Sequence, residues 1–261
     1  RFKAIHGAKA KSDRIDSAKI AVLVRGGLMP VAYAYPADMR ATRDLMRRRL
    51  LFVRQRGSLL AHIQITHHQY NVDPPGKRIT YRSNREGLGE GFEDSSVRHS
   101  IAADLALADH YEVTIGELEL AVLRQARIHD PNALALLTSV PGIGKVLALT
   151  ILYEIHDISR FPSVRDFASY SRLVKCERSS AGKSLGSGGN KIGNAYLKWA
   201  FSEAAVLFIA KSEQGRTVLT RLERKYGKPK ALSVLAHKLG RAVYYMLARK
   251  QAFDPQRFAT S

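Results

Sequence analysis

The sequence predicts a mainly α-helical protein, and three observations predict it. Between Asp38 and about His68, Leu45/Met46, Phe52/Val53 and Leu59/Leu60 recur every seven residues, with no proline and one glycine. That is the seam of a helix packed on another helix. A second apolar stripe, Ile101, Leu105, Ala108, Ile115, Leu118 and Val122, runs through residues 98–128. From Asn132 onward, short apolar helical patterns alternate with glycine-containing turns, and strand-like alternation is scarce.

Composition narrows the partners. Lys and Arg number 42 against 23 Asp and Glu, a formal charge of +19, with a pI near 10.2. Such a surface concentrates polyanions and releases their counterions, so nucleic acid leads and a membrane surface comes second. No apolar run reaches the ~18 residues of a spanning helix. The single Cys176 excludes an internal disulfide and a cysteine zinc site, and it fits a reducing cytoplasm. The histidines form no H-E-x-x-H or comparable metal spacing and read as surface or packing residues.

In chain order, Ser12 is placed to cap a short helix through Ile15, Ala18, Ile20 and Val22 to Val24, which Gly26 and Gly27 stop. An extended connector ends at Pro36. The long helix that follows carries Arg40, Arg43, Arg47, Arg48, Arg49, Arg54 and Arg56. Those arginines suit either a solvated face or phosphate contact. Residues 71–99 are polar and rich in Pro and Gly, which predicts a mobile loop. Two long helices around that loop make an antiparallel hairpin or a coiled-coil dimer arm, between which periodicity does not choose. The expected division is 1–35, 36–130 and 131–261.

Three constellations bear on chemistry. Pro141-Gly142-Ile143-Gly144 sits between the helical patterns Ala133–Val140 and Lys145–Ile155, a helix-hairpin-helix pattern. Gly142 and Gly144 permit a tight turn whose backbone N–H groups, with Lys145 beside them, can hold a DNA phosphate. The bland reading is an ordinary connection with packing glycines. Next, residues 176–201 set Ser179, Ser180, Ser184 and Ser187 among five glycines and the basic Arg178, Lys183 and Lys191. A P-loop ending in Gly182-Lys183-Ser184 fails because position 177 is Glu177, and a nucleophile elbow at Ser180 fails because position 178 is Arg178. A flexible linker and a loop presenting a serine to DNA both remain, and a helix is expected from Asn194. Third, Asp13 and Asp16 share a helix face at i and i+3 and can together hold a divalent cation, although such pairs are commonly inert.

Taken in order, these motifs resemble the DEDD-motif insertion-sequence transposases, bridge-RNA-guided serine recombinases related to pilin-gene invertases. KSDRIDSAKIA (11–21) looks like the end of that family's RNase H-like (Holliday-resolvase-type) catalytic domain. SVPGIGKVLALTILYEIHDISRFPSVRDFASYSRL (139–173) looks like the opening of its α-helical C-terminal transposase domain. The serine–glycine stretch, KIGNAYLKWAF (191–201) and FDPQRF (253–258) are similar to its serine motif, the helix after it and its ending.

The resemblance implies four acidic ligands for Mg²⁺, of which Asp13 and Asp16 match the last two. The other two are expected upstream of Arg1, so the chain reads as N-terminally truncated and inactive alone. It implies a serine nucleophile that links covalently to DNA. Counting from Phe161 gives Ser180 and counting back from Gly193 gives Ser179, because this loop is one residue shorter than usual; Ser-Ser-Ala-Gly stands here where the family often reads Ser-Ser-Gly, which leaves both serines open. A phosphoserine link conserves the energy of the broken bond, so strands rejoin without ATP. The implied partners are duplex DNA, a structured guide (bridge) RNA and further copies in a homodimer or homotetramer, in a bacterial or archaeal cytoplasm at the nucleoid. Two other classes fit the same residues. One is a non-catalytic helix-hairpin-helix DNA-binding protein, the other an RNA-binding scaffold.

Overall fold

A computed structural model describes residues 12–29, 32–174, 176–181, 183–188 and 192–260, with the side chains of 176–180 and 184–188 excepted. Its elements are nearly all helices. The chain divides into two compact units, 1–36 and 37–261. In the first, helix α1 (Asp13–Arg25) begins where the Ser12 hydroxyl accepts from the Ile15 N–H at 3.3 Å and stops at Gly26. Asp13 and Asp16 lie in its first turn, where the helix dipole favours negative charge.

The second unit opens with two long helices, α2 (Ala37–Gln69) and α3 (Ser95–His129). Arg49 meets Glu119, Arg56 meets Glu112 and His62 meets Asp104, so position rises along one helix as it falls along the other. The pair is therefore an antiparallel hairpin within one chain. Met46 and Leu60 from the heptad seam and Ile101, Ala108, Ile115 and Val122 from the second stripe are buried.

The polar segment between them differs from its expectation. Residues 95–99 belong to α3, whose first turn is capped by Asp94. The remainder is seated on the hairpin tip: Ile79 and Phe92 are buried in a cluster with Leu60, Ile63, Val97 and Ile101. Arg85 holds the segment's fold. Only 5% exposed, it donates to the Ile79 carbonyl at 2.9 Å and the Thr80 carbonyl at 3.0 Å. It also ion-pairs with Asp109 and, at 2.8 Å, with Glu112. Composition misled here because two apolar anchors and one guanidinium suffice to fix a segment that is otherwise hydrophilic.

Beyond α3, the Asp130 carboxylate caps α4 (Pro131–Thr138), and α5 (Lys145–Ile155) follows after the glycine turn. Then come α6 (Val164–Tyr170), an antiparallel β-hairpin of β1 (Cys176–Ser180) and β2 (Lys183–Gly188), α7 (Ala195–Lys211), α8 (Glu213–Tyr226), α9 (Lys228–Arg249) and α10 (Pro255–Thr260). Helix α7 is the centre: Leu197, Ala200, Phe201, Ala204, Ala205 and Phe208 are inaccessible to solvent, with α5, α8 and α9 packed round it. The C-terminal FDPQRF closes over one end of it. Phe253 and Phe258 pack on Phe208 with centroids 5.8 and 5.2 Å away, while Asp254 caps α10. Among the described residues no helix is long and apolar enough to cross a membrane.

The Arg85 geometry sets a test. Arg85→Met should destabilise the second unit by about 3 kcal/mol, because it strands two carbonyls and uncovers partly buried carboxylates. Arg82→Met should change stability by less than about 0.5 kcal/mol, since that side chain is 68% exposed although it also reaches Asp109. Urea unfolding with limited proteolysis of residues 71–94 reads both. Equal effects for the two substitutions would contradict the anchoring role.

Candidate functional site

The turn between α4 and α5, expected as a helix-hairpin-helix turn, separates its two glycines into different jobs. Gly142 is buried at φ +92°, and a Cβ there would lie 2.5 Å from the Phe208 nitrogen of α7. Only glycine allows that turn to touch α7 so closely. Gly144 is exposed, has nothing within 4 Å of a built Cβ, and caps α5 without a side-chain acceptor. Lys145 beside it is exposed as well. The packing reading therefore belongs to Gly142, while the open helix N-terminus at Gly144 and Lys145 keeps the geometry that phosphate contact requires.

Ten residues along α5, the apolar run contains one acid. Glu154 is 4% exposed, and such a carboxylate must be paired. Arg47 of α2 reaches it bidentately, Nε to Oε1 at 2.7 Å and Nη2 to Oε2 at 2.8 Å. Asn194 donates from Nδ2 to the same Oε2 at 2.6 Å. The Glu154 carboxylate holds the Arg47 guanidinium above its usual pKa, chiefly through that hydrogen bond. The guanidinium also stacks over the Tyr196 ring, 4.8 Å from its centroid.

Asn194 works in both directions. Its Oδ1 accepts from the Tyr196 and Leu197 N–H groups, capping α7, and its own N–H donates to the Tyr170 carbonyl at 2.6 Å. Gly193 precedes it at φ +98°, where a Cβ would stand 2.6 Å from that same carbonyl oxygen. Arg172, just past α6, donates from Nε to the carbonyls of Ile192 and Gly193 at 3.1 and 2.9 Å. Residues 170–173 and 192–194 are thus bound to each other. The serine-bearing segment emerges between two fixed roots.

That segment is a hairpin rather than the linker or loop its composition suggested. Ser179 pairs with Ser184 and Ser180 with Lys183, next to a turn at Ala181, with an irregular register between Glu177 and Ser179. Arg178 falls at that irregularity, and Lys183 is exposed. Lys191 and the side chains of Arg178, Ser179 and Ser180 lie outside the described residues. Asp13 and Asp16 stand together on α1 in the first unit, Asp13 exposed and Asp16 half-buried. They offer two ligands on one face, and among the described residues no group of three or more His, Cys, Asp or Glu forms a metal cluster.

Sequence reasoning missed Glu154, Tyr170 and Arg172, and read Arg47 only as one of a row of arginines suited to solvent or phosphate. One signal was present: an acid within LALTILYEI is a charge the core must accommodate.

Comparison with known proteins bears on this region. Residues 134–219 match the Transposase IS116/IS110/IS902 family, a span running from α4 through the serine hairpin and α7 into α8. Over 94% of its length the chain is 26% identical to the provisionally named transposase y4qE of Sinorhizobium fredii (strain NBRC 101917 / NGR234), covering 60% of that protein. Over 93% it is 22% identical to the transposase for insertion sequence element IS1111A of Coxiella burnetii (strain RSA 493 / Nine Mile phase I), covering 68%. One third of the chain thus matches a transposase-family model, and along most of its length the chain is similar to the two transposases.

The two glycines give an expected contrast. Gly142→Ala should cost more than about 2 kcal/mol, since a strained φ and a backbone clash coincide. Gly144→Ala should stay within about 0.5 kcal/mol of wild type in thermal or urea unfolding. Comparable losses at both positions would show that the turn does not divide its roles as the packing indicates.

Proposed function

We propose that this chain acts as a DNA transposase, a site-specific recombinase of an insertion sequence that cuts and rejoins strands through a serine–phosphate link. One observation carries the reading. A single transposase-family match spans both the helix-hairpin-helix turn and the serine hairpin, the two constellations that suit phosphate contact and nucleophilic attack. The excess of basic residues supports duplex DNA as the partner.

In the proposed chemistry, Gly144, Lys145, Lys183 and Lys191, with Arg178, hold phosphates and fix the duplex without reading its sequence. The Oγ of Ser180, or of Ser179, attacks the scissile phosphorus. As the Oγ–P bond forms, the hydroxyl proton leaves to a base, and one P–O bond to deoxyribose breaks with its oxygen taking up a proton. One phosphodiester replaces another, so a new sugar hydroxyl can reverse the step onto a different strand without ATP. Asp13 and Asp16 would supply two of the ligands for Mg²⁺, whose contribution is Lewis-acid stabilisation of charge at phosphorus. Their placement on one face of α1 fits that share of a coordination shell. A structured guide RNA and a homodimeric or homotetrameric assembly complete the proposal.

The clamped roots of the hairpin favour this reading over a passive linker. Residues 170–173 and 192–194 are fixed by Arg172, Asn194 and Gly193, and a spacer needs no such fixing. Attack on phosphorus does need a held nucleophile, because small misplacements are expensive in rate.

In the transposition-competent protein, Ser180→Ala is expected to abolish the covalent protein–DNA adduct, trapped by denaturing gel, while duplex affinity stays within about twofold. Ser179→Ala should have the smaller effect, since the segment from Phe161 runs without a gap through Phe167 and Leu173. The reverse pattern would move the nucleophile to Ser179. An adduct that survives in the double variant would sink the serine mechanism.

A further inference from the structure

The proposed activity leaves one charged surface unused, and the ion pairs locate it. The arm looks like the basic element in sequence, yet four of the seven arginines on α2 meet an acid: Arg43 meets Asp44, Arg47 meets Glu154 of α5, Arg49 meets Glu119 and Arg56 meets Glu112. Helices α8 and α9 are the opposite case. Residues 213–249 contain nine Lys and Arg against two Asp and Glu. Among the described residues none of Arg221, Arg224, Lys225 or Arg241 makes a salt bridge.

These groups are organised. Thr217, Thr220, Arg221, Arg224 and Lys225, all exposed, line one open recess of about 640 Å³ along α8. Their spacing of three and four residues puts them on one helix face. Arg221 is steadied by donating from Nη2 to the Ala259 carbonyl at 2.9 Å. Lys238 of α9 lies over the Phe258 ring, and burial together with Arg221 and Arg241 holds its ammonium below the ordinary lysine pKa. Like charges are crowded here, Arg221 and Arg241 both acting on the Lys238 ammonium.

From Thr217 to Lys225 the face extends about 12 Å at 1.5 Å per residue. A duplex presents about seven phosphate charges over that length, at one per ~1.7 Å. Hydroxyls alternating with guanidinium and ammonium groups are the donor set that phosphate oxygens take. We infer that the exposed face of α8, with Arg241 of α9 beside it, is a second phosphate-tracking surface for duplex DNA, separate from the helix-hairpin-helix turn and the serine hairpin. This rests on the reading of the chain as a DNA-binding transposase.

The test compares two charge-matched doubles in the 261-residue chain. Arg224→Gln/Lys225→Gln removes two cations from the recess. Arg48→Gln/Arg54→Gln removes two exposed, unpaired cations from the arm. Affinity for a 30-base-pair duplex is followed by fluorescence anisotropy against salt. The recess double should lose about 1.8 from the magnitude of the log–log salt slope, two contacts at about 0.9 each. The arm double should keep the wild-type slope, and circular dichroism should find both folded, since every substituted side chain is exposed.

An unchanged slope in the recess double, or an equal loss in the arm double, overturns the inference. A wild-type slope near zero fails the DNA reading itself and is distinguishable from either. The same titration with a structured RNA provides the last arm. A slope lost on RNA but kept on DNA would assign the surface to RNA and overturn the duplex assignment.

Discussion

Glu154 is a full negative charge placed in the middle of an apolar helix, and the second unit is built so that this charge is answered from two sides. Left alone it would cost several kcal/mol in the core. Arg47 answers it from the long hairpin and Asn194 from the start of α7, and both donate to the same oxygen, Oε2. Three elements distant in sequence are thereby bound to one carboxylate. Asn194 is also the cap of α7 and one root of the serine hairpin, so a constraint in the core becomes a constraint on where the serine-bearing segment emerges. Gly193, Arg172 and the Tyr170 carbonyl finish the root because the chain there must pass within van der Waals limits of α6.

Charge is sorted by the same fold. Arg49 and Arg56 of α2 pair with Glu119 and Glu112 of α3, so part of the arm's positive charge is answered within it. On the C-terminal helices Arg221, Arg224, Lys225 and Arg241 make no salt bridge among the described residues, and the turn before α5 offers an open helix N-terminus next to Lys145.

Much of this was legible in the sequence because helices declare themselves by period. The heptad seam of α2, the stripe of α3, the Ser12 cap, the Gly26 stop and the bounds of α5 at Lys145 and Ile155 all follow from spacing. The serine hairpin was not legible, since Ser, Gly and Lys carry little β preference and its pairing depends on roots fixed elsewhere. Nor was the seating of residues 71–94, which depends on Ile79, Phe92 and Arg85 meeting a helix tip that composition does not encode. Whether an arginine on α2 faces solvent, phosphate or an acid is decided largely by α3 and α5, far along the chain. The conflicting duties of Gly142 and Gly144 emerge only when α7 is in place.

The central claim is that Arg47 and Asn194, which share no hydrogen bond with each other, are coupled through Glu154. A double-mutant cycle measures it by urea unfolding, using Arg47→Met and Asn194→Ser. Serine keeps a cap acceptor for α7 but lacks the amide donor. The expected coupling energy is about 1 kcal/mol or more, and it should vanish when the cycle is repeated in a Glu154→Gln background. Additive losses, equal within about 0.3 kcal/mol in both backgrounds, would contradict the account and leave the arm and the serine hairpin as independent attachments to the same core.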